Sequence, residues 1–158
     1  MSSKRDDAAS AELDGKLFIT GGFDGNELSS TEFITVEGDV SPGQNLPSPP
    51  RDSHCMMKLP SGKIIIAGGS PSSSVGKEVL EFDPATNSYD DMPPLTTERG
   101  NHACAVFQSP QHEDRYVAMI AGGVYEATAE ILDYSQPNAK WTPSKIRFFF
   151  DFFISPIF

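Results

Sequence analysis

A chain of 158 residues is long enough for one domain with a core of its own. Its 22 acidic and 12 basic side chains leave a net charge of −10, which repels a polyanion over most of the surface and argues against a nucleic-acid partner. The 13 glycines and 13 prolines predict short elements joined by many turns. Cys55 and Cys104 form no Cys-x-x-Cys pair, so they imply neither a zinc site nor a disulfide framework and are expected as reduced thiols packed within strands.

Residues 1–15 are charged and small and lack the apolar run of a signal peptide, which predicts a disordered leader on a cytoplasmic product. From Lys16 onward one unit recurs. A β-rich run closes on two glycines at Leu17 to Gly22, at Ile64 to Gly69 and at Val117 to Gly123, with the pairs 47 and 54 positions apart. After each pair come a variable loop and a glutamate that opens an alternating apolar strand, at Glu32, Glu78 and Glu130. Turn residues then lead to Tyr89 in the second unit and Trp141 in the third, each expected on a short fourth strand packing inward. The first unit has no such aromatic and no recognisable first strand, so residues 16–46 read as a partial blade, followed by blades at 47–92 and 93–146. Arg51 with His54, and Arg99 with His102, introduce the apolar first strands of the two full units. Residues 147–158, RFFFDFFISPIF, break the pattern as an apolar tail too short to span a membrane, as from a reading frame that runs past a coding boundary near Ile146.

The ordered recurrence of apolar strand, diglycine, glutamate strand, Tyr or Trp, and a Pro and Arg approach to the next unit resembles the kelch repeat. The resemblance implies an all-β fold, an incomplete kelch-type β-propeller of about three four-stranded antiparallel blades, too few to close a ring. It also implies a module that binds another protein, as a portion of a larger kelch protein such as a substrate adaptor, without enzymatic activity, cofactor or metal. Two alternatives stand beside it: a fragment of a kelch-propeller enzyme of sugar mutarotase or oxidase type, and a truncated product without independent function.

The one-per-unit residues Gly21, Gly22, Gly68, Gly69, Gly122, Gly123, Glu32, Glu78, Glu130, Tyr89 and Trp141 are expected to be structural, because a side chain demanded by every blade is better explained by a repeated bond than by chemistry. Each glutamate would accept from a backbone N–H or from the repeat arginine. Arg51 and Arg99 stay open between bridging blades through carboxylates and lining a surface for an acidic partner. Strand parity puts the loops Phe23–Ser30, Ser70–Lys77 and Val124–Thr128 on one side, with the connections Leu46–Asp52 and Pro93–Gly100. On that face Phe23, Asp24, Ser72, Lys77 and Tyr125, with Arg51 and Arg99, are the candidate partner contacts. Open blade edges would also permit self-association.

Overall fold

The computed structural model describes residues 1–47, 49–70, 74–109, 112–124 and 126–144. These form three four-stranded antiparallel sheets, each in simple sequential order, stacked as the blades of an incomplete β-propeller. The first blade holds β1 (Ala9–Leu13), β2 (Lys16–Thr20), β3 (Thr31–Ile34) and β4 (Val40–Pro42). The second holds β5 (Cys55–Lys58), β6 (Ile64–Ala67), β7 (Val79–Asp83) and β8 (Ser88–Met92). The third holds β9 (Ala103–Ser109), β10 (His112–Ala121), β11 (Ala129–Asp133) and β12 (Thr142–Pro143). A 3-10 turn, Ser74–Lys77, follows the second diglycine.

The middle blade is apolar on both faces because it is covered on both. Successive residues of a strand point to opposite faces. Ile64, Ile66, Leu80 and Phe82 therefore pack on Leu13, Phe18 and Leu46 of the first blade. Ile65, Ala67, Cys55 and Met57 meet Ala118, Ile120, Leu132 and Trp141 of the third. The unbroken Ile64-Ile65-Ile66 run thus serves two interfaces, and each fully buried side chain of this kind contributes about 1.5–3 kcal/mol. A row of stacked rings, Phe33 on Phe18 at 4.7 Å and Phe18 on Phe82 at 4.8 Å, continues to Tyr89, 4.9 Å from Phe82.

Four expectations are corrected. Residues 9–13, read as part of a disordered leader, are β1, paired along its whole length with β2 from Ala9↔Thr20 to Leu13↔Lys16. With β4 paired to β3, the first blade is complete and not partial. Ala9 and Leu13 turn inward and are buried while Ser10 is exposed, a period of two that the small side chains conceal in the sequence. Trp141 is buried in the core but lies just before β12 instead of on it. Cys55 and Cys104 are joined in a disulfide across the second and third blades, because packing β5 beside β9 brings their Cα atoms to 6.3 Å, within bridging range. The tail 147–158 lies outside the described residues.

Candidate interaction surface

The residues that open each blade close on themselves. Arg99 is 1% exposed, and its Nε–H donates to Glu130 Oε1 at 3.1 Å. Its Nη1 donates to the carbonyls of Gly122 and Thr128, at 2.7 and 2.8 Å, and Nη2 to Thr128 Oγ1. The same carboxylate accepts from Thr96 N–H and Oγ1–H and from Thr97 N–H. Burial pushes the Glu130 carboxyl up, but the bonds from Thr96, Arg99 and Thr97 outweigh it and hold its pKa below the usual carboxylate range. Arg51 repeats the arrangement, donating to Gly68 O at 3.2 Å and to Glu78 Oε2 at 2.9 Å. Arg51 and Arg99 are therefore structural cations inside their own blades, and the expectation that they line a partner surface is withdrawn.

The first blade has its counterpart in Arg5, which sequence reasoning missed. Its Nη1 donates to Gly21 O at 2.7 Å and its Nη2 to Glu32 Oε1 at 3.1 Å, with both side chains buried. The signal was present as spacing: Arg5 stands four residues before β1, as Arg51 and Arg99 stand four before β5 and β9. It was hidden because Ala8 replaces the histidine of the other two units.

Those histidines pack on the diglycine of the preceding blade. A Cβ on Gly68, whose φ is +66°, would lie 2.5 Å from Arg99 O and 2.7 Å from His102 Cε1, so only glycine fits there. Gly21 meets Arg51 O and His54 in the same way. His54 Nε2 is 2.8 Å from Thr20 Oγ1, whereas Ala67 at the corresponding place offers His102 no hydroxyl. Burial drives the pKa of His54 down to about 3 and that of His102 to about 4, so both rings are neutral packing groups at physiological pH. Tyr89 is half-buried and its hydroxyl donates to Gln44 O at 2.7 Å, tying the second blade to the connection that precedes it.

With these residues occupied internally, the loop face is left to Phe23, Asp24 and Lys77, all exposed. Phe23 is held by a backbone bridge to Asp6, on the stretch carrying Arg5. Lys77 edges a cleft of about 380 Å³ between the second and third blades, with Thr96, Glu98, Val124 and Glu126. A cation and two carboxylates around an apolar side chain can take an extended segment of mixed character. Ser72 and Tyr125 lie outside the described residues. A second cleft, about 560 Å³, was not foreseen and lies on the outer rim of the first two blades, where Gln44, Asn45 and Pro47 face Tyr89, Asp90 and Asp91. Among the described residues no three His, Cys, Asp or Glu side chains are grouped to hold a metal ion, and no helix is long and apolar enough to cross a membrane.

No family model matches this chain, and no curated protein matches it. It is similar to the solved structure of YjhT, with a TM-score of 0.68 and 17% identity over 88% of this chain and 51% of that one. At that identity the likeness is one of fold. The chain spans about half the length of that structure.

Proposed function

We propose that this chain is a protein-interaction module of the kelch-repeat type, part of a larger kelch protein such as a substrate adaptor, which recognises another protein through its loop face. The observation that carries the reading is the division of labour between residues. Arg51, Arg99, Glu130 and the diglycines are consumed in joints within and between blades. The loops between them differ in length and present Phe23, Asp24 and the Lys77 cleft to solvent. The net charge of −10 and the acidic rim favour a polypeptide partner over nucleic acid.

A cytoplasmic location belongs to the same proposal. The Cys55–Cys104 disulfide favours an oxidising compartment, and the redox state of the pair in cells decides between the two.

The test is selection of peptides from a random library on the purified chain, followed by affinity measurement against variants. Lys77→Glu and Phe23→Ala should each weaken the selected peptides about tenfold or more, as loss of a contact worth about 1.4 kcal/mol does. Asp91→Asn on the rim should leave them unchanged. Peptides indifferent to both loop-face substitutions, or no peptide selected, would overturn the proposal.

A further inference from the structure

Each joint between blades is made by the same backbone groups. Between the first and second blades, Ser53 N–H donates to Asp7 O at 2.9 Å and Gly22 N–H to Arg51 O at 3.0 Å. Between the second and third, Asn101 N–H donates to Ser53 O at 2.8 Å and Gly69 N–H to Arg99 O at 3.0 Å. Asp7, Ser53 and Asn101 share one conformation, with φ of 51°, 54° and 53°, so each presents its groups to the neighbouring blades alike.

The ends of the arc hold the unmatched halves of this pattern. Asn101 C=O and Gly123 N–H on the third blade, and Asp7 N–H and Arg5 C=O on the first, have no backbone partner among the described residues. They are complementary, since the donor of each end answers the acceptor of the other. The side chains agree. Ala103, Ala105 and Phe107 on β9 are exposed, yet they stand where Cys55, Met57 and Leu59 of the second blade are buried. On the opposite end Leu17 is 43% exposed where its counterpart Ile64 is fully covered.

We propose that two copies of this chain associate head to tail, the third blade of each packing on the first blade of the other, so that the two arcs close one ring. The chain carries both halves of the joint, which is the condition for a heterologous contact that closes on itself. Two is the number because this chain spans 51% of the YjhT structure, so an architecture of that length takes about two arcs. The inference concerns these 158 residues as a chain of their own, since in a longer chain the same two end faces would meet further blades of that chain; it rests on the propeller arc and is independent of what the loop face binds.

Gly122 supplies the discriminating variant. The counterparts Gly21 and Gly68 are pressed by the carbonyls of Arg51 and Arg99 in the next blade, whereas a Cβ on Gly122 would meet only Glu126 O at 3.8 Å. An alanine there meets no clash in a single chain and bears only the backbone strain of a φ of +71°, whereas it collides with Arg5 O once a second copy docks.

The experiment combines solution mass by light scattering with amide hydrogen exchange on the purified chain. The wild type should have twice the 17.1 kDa of one chain, and the Asp7 and Gly123 amides should be protected like those of Ser53 and Gly69. Gly122→Ala, and independently Leu17→Asp on the opposite face, should halve the mass while keeping the β-sheet circular dichroism. Those two amides should then exchange freely. A monomeric wild type, an open-ended polymer, a dimer in which Asp7 and Gly123 exchange freely, or variants that fold and stay dimeric would each overturn the proposal.

Discussion

A guanidinium taken out of water needs oxygen acceptors for its donors, and the three blades meet that need to different degrees. Arg99 bonds through all three nitrogens and its partner Glu130 is buried with it, 1% exposed. Arg51 leaves Nε without a partner, and Glu78 is 43% exposed. Removing the charge at position 130 strands a buried cation, so Glu130→Gln should lower the stability by about 3 kcal/mol or more. Glu78→Gln should cost less, about 1–2 kcal/mol, because Arg51 is buried but Glu78 is 43% exposed and water screens its end of the pair. Urea midpoints of the two variants measure the difference, and equal losses would show that the grading by burial is wrong. The glutamates and diglycines were legible because they recur in phase. The role of the arginines was not, since Arg-x-x-His before a strand reads equally well as a bridge or as an exposed contact until burial is known. Arg5 could be found only by counting back from a strand that had itself gone unseen.

Strands whose apolar residues serve two blade faces announce themselves as unbroken runs, which is why β6 and β10 were readable. The first strand of the first blade was not, because Ala9 and Ala11 bury little area and alanine has low strand preference, so the inward positions look like leader sequence. The disulfide was equally invisible. Cys55 and Cys104 are 49 residues apart in the chain, and only the packing of β5 on β9 makes them neighbours. That bridge ties the second and third blades through their first strands. Reducing it frees the loop between the cysteines in the unfolded state, so dithiothreitol should lower the stability by about 2–4 kcal/mol, read as a fall in the melting temperature. Thiol titration of the folded, unreduced protein should find no free cysteine. Two reactive thiols before unfolding, or a melting curve indifferent to reductant, would contradict the assignment.

At the scale of the molecule, the chain is an arc of like units whose main contacts among the described residues run between neighbours, first strand to first strand, so its stability is close to a sum over blades and joints. The two joints are built alike from backbone and core, and both end faces keep apolar side chains that the internal faces bury. The loop face differs from unit to unit, which is what a recognition surface on a repeated scaffold requires. All of this depends on the first thirteen residues belonging to the first blade, with Arg5 locking Glu32 and Asp7 receiving Ser53. Amide hydrogen exchange across residues 1–60 tests that directly. The account predicts that the amides of β1 and of Ser53 are protected to within about tenfold of those of β5, a spread of about 1.4 kcal/mol in opening free energy. Exchange of β1 at the rate of an unstructured chain, with β5 protected, would contradict it.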